Sequence, residues 1–423
     1  MIQAVRPRRR TELGLIVLVA LIVVSAYILA SLGRTSEMPA NAGPFLGIIL
    51  GLLLLAHVAL RIWAPTADSI LLPMAGLLNG LGYVFIARLD HRLAALQATW
   101  TILGVGAFVL TLAVVRRARD LERYRYTLAF LGVAFLLLPL VPHIGRNING
   151  ARLWVRVGSI TFQPGELAKL ALAVFFASYL VDKRELLARP TWRVGPLFLP
   201  DPKHLGPIVL AWGASLVVLF SENDLGTSFL FFALFIAMLW VATGRGAYLG
   251  VGFTLFVAGA GLAYKTFAHA RSRIQVWINP WAHAQTAGYQ VIQGLYAMGS
   301  GGLAGSGLGL GSPTRIPEVA TDFIFAAIGE ELGLLGTAAI VLAFVIIVGT
   351  GLRIALRAER EFDKLLATGL TFTIGLQAFI IMAGVTRLTP LTGITLPFIS
   401  YGGSSLVANY VLLALLLRIS TGS

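Results

Sequence analysis

The sequence contains no cysteine, which excludes a disulfide framework, thiolate chemistry and a thiolate-ligated metal. Charge is also scarce: Asp, Glu, Lys and Arg make up 12% of 423 residues, against about one quarter in soluble domains. Acidic residues are the scarcer sign, 19 against 33 basic, for a formal net charge of +14. No Gly-Lys-Ser/Thr follows the glycine-rich stretch Gly288 to Pro313 and no strand pattern precedes it, which argues against a nucleotide P-loop. No His/Asp/Glu spacing matches a dedicated zinc site, and no internal repeat of the transporter type is evident. The first apolar run lacks an obvious small-residue cleavage site and reads as a retained span.

Apolar sequence is abundant instead. Hydrophobic residues reach 57% and the mean hydropathy is +0.83, the composition of a polytopic membrane protein. Twelve runs are long enough to cross a hydrocarbon core of about 30 Å. They lie near 12–32, 44–63, 68–87, 96–115, 124–142, 166–183, 206–221, 226–243, 246–264, 323–350, 366–386 and 399–419. With both termini cytoplasmic, 21 of the 33 lysines and arginines fall inside and 11 outside, while Lys169 lies within a span. That arrangement satisfies the positive-inside rule. The basic residues alternate with spans and form no aromatic-interleaved module, so topology and anionic-lipid contact account for them better than nucleic acid does. The expected fold is an all-α polytopic membrane protein of about 12 transmembrane helices, with a large extracytoplasmic loop containing a re-entrant helix.

The loops are uneven. The longest cytoplasmic one, about 184–205, carries Pro190, Pro196, Pro200 and Pro202 and reads as a connector. The outer segment from about 265 to 322 is far too long for a passive link and is expected to fold over the membrane surface. Within it, the glycines suit tight turns and close backbone packing. Tyr289 to Met298 predicts a short amphipathic re-entrant helix with Tyr289, Ile292, Leu295 and Tyr296 near one face.

The chemistry-bearing residues cluster on that outer side. Glu166 and Lys169, in QPGELAK (Gln163 to Lys169), share one helical face at the start of a span, where an unpaired charge is costly and usually marks a site. Arg146 and Arg152 precede them; Glu222, Asp224 and Thr227 occupy a short turn; and Glu318, Thr321, Asp322, Glu330 and Glu331 surround the start of the tenth span. Such a set suits a lipid-linked pyrophosphate, with Arg binding in bidentate fashion and Lys as a point charge, while a carboxylate or imidazole activates a hydroxyl. The bland alternative is that these groups simply pair with one another, Glu166 with Lys169 first. For SYGGSS near the carboxy terminus, a glycine-rich break that allows close packing is favoured over substrate contact. His143, His204 and His269 read as loop or interfacial residues.

In order and spacing, NGARLW (Asn149 to Trp154), QPGELAK, DLGTS (Asp224 to Ser228), GYQ (Gly288 to Gln290), TDFIFAAIGEELG (Thr321 to Gly333) and PLTGITLPFISYGGSS (Pro390 to Ser405) resemble the FtsW/RodA/SpoVE family, the SEDS proteins. The resemblance covers roughly residues 68–420, and details near VTRLTPLTG are more RodA-like. It implies a ten-helix core over 68–423, preceded by an extension over 1–67 that carries two spans. It also implies a peptidoglycan glycosyltransferase that polymerises lipid II at the outer face of the cytoplasmic (inner) membrane, partnered by a class B penicillin-binding protein that acts as transpeptidase. Lipid II and membrane lipids are the expected ligands. No organic cofactor is implied, and the need for a divalent cation, Mg or Mn, stays open. Glu166 and Lys169 match positions the family needs. Arg152, Gln163, Asp224, Thr227, Tyr289, Gln290, Glu318, Thr321 and Asp322 fall in motifs expected to bind substrate.

One match departs from the pattern. The family's catalytic aspartate lies in a segment similar to NPWEDPFGSGYQ, and the counterpart here is NPWAHAQTAGYQ, which puts His283 in the aspartate's place. An imidazole, with an ordinary pKa of about 6.5, can serve as general base but supplies no negative charge. Three readings follow: catalysis with His283 as base, catalysis with another carboxylate such as Glu318 or Asp322, or a scaffold for the transpeptidase. A precursor flippase or transporter is the further alternative, and the one-sided polar cluster speaks for an enzyme.

Overall fold

A computed structural model describes residues 9–36, 42–148, 151–158, 160–188, 190–194, 197–200, 213 and 225–422. Its helices are α1 (Arg9–Thr35), α2 (Ala42–Trp63), α3 (Leu71–Leu89), α4 (His91–Val114), α5 (Arg125–Leu137), α6 (Pro164–Ala188), α7 (Leu225–Thr243), α8 (Ala247–Thr266), α9 (Ala268–Ile278), α10 (Tyr289–Gly301), α11 (Ile324–Arg357), α12 (Glu361–Val385) and α13 (Gly403–Ser420). Among the described residues, ten helices are long and apolar enough to cross a membrane, and α2 adds a further apolar helix of 22 residues. The expected run at 206–221 lies outside the described residues.

The chain is nearly all helical, with two small sheets that the apolar runs did not announce. Strands β1 (Gly145–Ile148), β2 (Ala151–Val157) and β3 (Ile160–Phe162) pair antiparallel in that order, so the expected loop before Gln163 is a sheet. In β2, Leu153, Val155 and Val157 alternate with Arg152, Trp154 and Arg156, the period-two pattern of a half-buried strand, and Val155 is buried. The proline-rich connector after α6 holds a hairpin of β4 (Pro190–Val194) and β5 (Leu197–Pro200). Its two prolines sit opposite each other at the open end, where a missing ladder donor is tolerated.

The amino-terminal helices seat on small residues of α3. A Cβ at Gly80 would meet Val23 of α1 at 2.4 Å, and one at Gly76 would meet Leu53 of α2 at 2.6 Å, the close approach that drives helix association in lipid. The outward faces, such as Leu18, Leu21 and Leu55, are exposed, as lipid-facing surfaces are. At one face of the bundle, Arg418 near the end of α13 donates to the carbonyls of Trp63 and Leu112, a cation at the carboxyl ends of α2 and α4. At the opposite face, the ends of α1 and α3 meet the start of α11 through Arg34, Arg88 and Glu331. The alternation expected of successive spans is thus visible in the contacts.

Helix α11 is broken. Gly333 adopts φ 65°, ψ −161° within it, and a Cβ there would lie 2.3 Å from Gly305 N. The break opens backbone groups that a glycine-rich segment then satisfies. Leu334 and Leu335 donate to the carbonyls of Gly302 and Leu303 at 2.9 and 3.1 Å, while Ser306 and Gly307 donate to those of Glu330 and Glu331 at 2.9 and 3.0 Å. These groups find protein partners, as irregular backbone within a membrane-spanning helix requires.

Candidate active site

Glu166 and Lys169 form a buried ion pair in the first turns of α6. Pro164 opens the helix, where its missing N–H costs nothing, and Glu166 sits in the first turn, the favoured end for an anion. Lys169 Nζ lies 2.7 Å from Glu166 Oε2, with the side chains 5% and 7% exposed. Lys169 also donates to Gln377 Oε1 of α12 at 2.9 Å. The amide of Gln377 in turn donates to Thr395 O at 2.9 Å, and Thr395 Oγ1 donates to Ser405 Oγ at 2.9 Å. Asn409 Nδ2 donates to the same Ser405 hydroxyl at 3.3 Å. The polar chain runs from α6 through α12 into α13, and the pairing expected as the bland alternative is realised.

The segment between α12 and α13 is the hub on which the other motifs converge. A Cβ at Gly226, beside Thr227 at the start of α7, would meet Ile394 at 2.6 Å and Thr392 at 3.0 Å. Gly393, at φ +77°, has the Arg273 guanidinium and the Asp322 carboxylate crowded against it, 3.1 and 3.5 Å from the position a Cβ would take. Arg273 donates to Leu391 O at 2.7 Å and to His269 Nε2 at 2.9 Å. Ser400 Oγ donates to Thr321 O at 2.6 Å, and Tyr401 N donates to Ala320 O at 2.8 Å. Gln163 N donates to Ser404 Oγ at 2.8 Å. Motifs distant in sequence, around Gln163, Glu166, Lys169, Thr227, Thr321 and Asp322, are therefore tied to one short stretch of chain. Burial pushes the Tyr401 hydroxyl above the ordinary tyrosine range.

The outer loop brings a second group beside it. After α9, Asn279 Oδ1 accepts from Ala282 N at 3.3 Å and caps the short turn Pro280–His283. The His283 carbonyl then accepts from Thr286 N and Gly288 N, both at 3.0 Å. A Cβ at Gly288 would sit 2.2 Å from Pro280 O, so only glycine closes this turn into α10. The His283 imidazole is half-buried and makes no hydrogen bond or ion pair to Glu166, Lys169 or Glu318 among the described residues. Gln290 donates to Pro317 O at 2.9 Å, which joins GYQ to the Glu318 turn. Glu318 is exposed, has φ +51°, and offers its carbonyl to Thr321 N and Asp322 N at 3.1 and 3.2 Å.

Several expectations need correction. Glu330 and Glu331 are not part of an open substrate cluster. Glu331 Oε1 is 2.6 Å from Arg88 Nε, with side chains 0% and 9% exposed, and its Oε2 accepts from Gly309 N at 3.0 Å. Glu330 Oε1 accepts from Ser312 N at 2.6 Å. Both anchor the glycine-rich segment, whose bare backbone N–H groups need acceptors. On α10, the buried residues are Val291, Ile292, Gly294, Ala297 and Gly301, while Tyr289 and Tyr296 are 41% and 61% exposed. Small residues set that face: Cβ atoms at Gly294 and Gly301 would collide with Phe323 and with Gly329 O. Arg152 is exposed and lines a separate cavity of ≈ 550 Å³ with His143 and Arg146. Asp224 lies outside the described residues, as do Glu222, Asn149 and His204.

Sequence reasoning missed Gln377, Thr395, Ser405 and Arg273. A lone glutamine in the apolar run TIGLQAFIIM was the available signal, since an amide in that setting needs a partner. Among the described residues no group of three or more His, Asp or Glu is gathered as metal ligands.

Three comparisons bear on this arrangement. The family described as "Cell cycle protein" (FTSW_RODA_SPOVE) matches residues 82–423. The "Peptidoglycan glycosyltransferase RodA" of Mycobacterium leprae (strain TN) is 43% identical over 424 residues, covering 98% of this chain and 90% of its own. That of Mycobacterium tuberculosis (strain ATCC 25618 / H37Rv) is 42% identical over 427 residues, covering 98% and 91%. A solved structure described as "Structural coordination of polymerization and crosslinking by a peptidoglycan synthase complex" superposes with a TM-score of 0.69 at 26% identity, over 84% of this chain and 97% of that one.

Proposed function

Because this chain belongs to the FtsW/RodA/SpoVE family, in its RodA-like branch, we propose that it is a peptidoglycan glycosyltransferase that polymerises lipid II at the outer face of the cytoplasmic membrane. The observation that carries this reading is the near-full-length similarity to proteins named for that activity. The geometry agrees with it: a buried cation, a buried carboxylate and an outer loop are all fastened to one hub. In the reaction, the 4-hydroxyl oxygen of an acceptor sugar bonds to the anomeric carbon of the donor. The bond from that carbon to the undecaprenyl pyrophosphate breaks, and the hydroxyl proton passes to a base.

Lys169 donates to Gln377 and its ammonium sits 2.7 Å from Glu166 Oε2, leaving donor capacity for a phosphoryl oxygen. Glu166 holds the ammonium in place and keeps the buried site neutral overall. Arg273 and Asp322 form the outer wall. His283 is the base within the loop. Both termini lie in the cytoplasm, and a class B penicillin-binding protein acting as transpeptidase cross-links the product.

The test is lipid II polymerisation by the purified protein with its transpeptidase, comparing wild type with His283→Ala, His283→Asp and Glu166→Ala. Polymerisation by wild type that is lost in His283→Ala and Glu166→Ala supports the reading. Inert wild type with activity gained in His283→Asp overturns it and identifies a retired polymerase that serves as a scaffold.

A further inference from the structure

Beside the turn that carries His283 is a cavity of ≈ 600 Å³ lined by Trp277, Ile278, Trp281, Leu295, Thr386 and Arg387, a size typical of small-ligand sites. Its walls are unusually constrained. Arg387, at φ +62°, donates from Nε to Trp277 O at 2.8 Å and from Nη2 to Ile278 O at 2.7 Å. These are the last carbonyls of α9, which attract a cation. Trp277 Nε1 returns a bond to Arg387 O at 3.1 Å. The guanidinium so fixed lies 5.2 Å from the centroid of the Trp281 ring, a cation–π contact that covers one indole face. Trp281 nevertheless remains 52% exposed. An indole that only anchors a protein at the membrane interface gains from buried area and needs no fixed orientation. An indole held flat by a doubly tethered arginine is pre-organised to receive another flat ring.

We propose that this clamp is a pyranose-binding platform for the glycan. An N-acetylhexosamine in β-1,4 linkage carries its polar groups around the rim and C–H bonds on its faces, so one face stacks on the free side of Trp281. Arg387 Nη1, which makes no hydrogen bond among the described residues, donates to a rim oxygen. The proposal rests on the polymerase reading: Trp281 and His283 belong to the same short turn, so a sugar on this platform is held next to the proposed base. It adds a subsite that positions glycan without taking part in bond making.

Full-length protein in nanodiscs with its transpeptidase is titrated calorimetrically with chitohexaose, a soluble β-1,4-linked N-acetylglucosamine oligomer, and assayed in parallel for lipid II polymerisation. Trp281→Ala is expected to weaken chitohexaose binding by about tenfold or more, Trp281→Phe to stay within about threefold of wild type, and Arg387→Lys, which loses the fork, to fall between them. In polymerisation, Trp281→Ala raises KM and shortens the glycan more than it lowers kcat, a split that simple loss of folded protein does not produce. If wild type polymerises but its chitohexaose binding is absent or indifferent to Trp281, the platform is overturned while the enzyme reading stands. If wild type binds chitohexaose through Trp281 yet forms no polymer, the enzyme reading fails and the platform stands. Quenching by brominated lipid acyl chains that disappears in Trp281→Phe shows the indole in the bilayer and also overturns the platform.

Discussion

Replacing Lys169 with methionine keeps most of the side-chain stem but removes the charge from a pair that is almost wholly out of solvent. Glu166 is 7% and Lys169 5% exposed, so the change leaves a carboxylate without its counter-charge and Gln377 Oε1 without its donor. Stripping one partner from a buried pair costs about 3–5 kcal/mol, of which the orphaned amide oxygen contributes about 1 kcal/mol or somewhat more. Adding Glu166→Gln removes the stranded charge, so the double variant is expected to recover most of that loss. The four proteins of this cycle are compared by equilibrium unfolding in mixed detergent micelles, and the coupling between the two sites is expected to be about 2 kcal/mol or more. Lipid II polymerisation is measured on the same samples.

Stability and activity part company if the pair serves the reaction. The double variant folds well and still fails to polymerise, because neither a cation nor a carboxylate is left at the start of α6. A Lys169→Met protein as stable as wild type to within about 0.5 kcal/mol, or a double variant that simply adds the two single losses, refutes the electrostatic argument. A double variant that polymerises normally refutes the catalytic one.

Arg88→Met is expected to cost about 3–5 kcal/mol, since Glu331 is 0% exposed and loses its counter-charge; Glu331→Gln in the same protein restores much of it in the same unfolding assay. Gly305→Ala places a methyl 2.2 Å from Glu331 O at φ +84°, a conformation costing an L-residue about 1–3 kcal/mol. It is expected to loosen the 302–312 segment, read as faster proteolytic cleavage there, and unchanged cleavage refutes the close-packing account.

Apolar run length made most of the spans legible, because lipid demands long uninterrupted helices. It could not show β2, whose seven residues ARLWVRV alternate too briefly to stand out among runs three times as long. The break in α11 was equally hidden: TDFIFAAIGEELGLLG reads as one apolar helix, and only the φ of Gly333 and the loop carbonyls opposite it explain why the helix stops and restarts. For the site, a three-residue spacing sufficed to pair Glu166 with Lys169, since that is local helix geometry. Gln377, Thr395 and Arg273 reach the same hub only through tertiary packing, and a separation such as the 208 residues between Lys169 and Gln377 carries no periodic signal. Glu330 and Glu331 misled for a related reason. Acidic residues near a site suggest chemistry, but the glycine-rich segment beside them offers unpaired N–H groups that take those carboxylates as acceptors.

That segment also gives the amino-terminal extension a role beyond added apolar surface. A Cβ at Gly33 of α1 would lie 2.1 Å from Leu308 O, and one at Gly309 would lie 2.4 Å from Ala30 O, so the last turns of α1 and the glycine-rich segment touch backbone to backbone. Arg34 donates to Arg88 O at 2.9 Å, and Arg88 in turn holds Glu331 and donates to Gly311 O at 2.6 Å. The extension, the first core helix and the broken half of α11 are thus one hydrogen-bonded corner. The short half of α11 runs from Ile324, two residues after Asp322, to the break at Gly333, and these contacts gather at its far end, at Glu331. Asp322 itself lies beside Arg273 and Gly393. Helix α1 therefore braces the break in α11, one end of the half-helix whose other end follows Asp322.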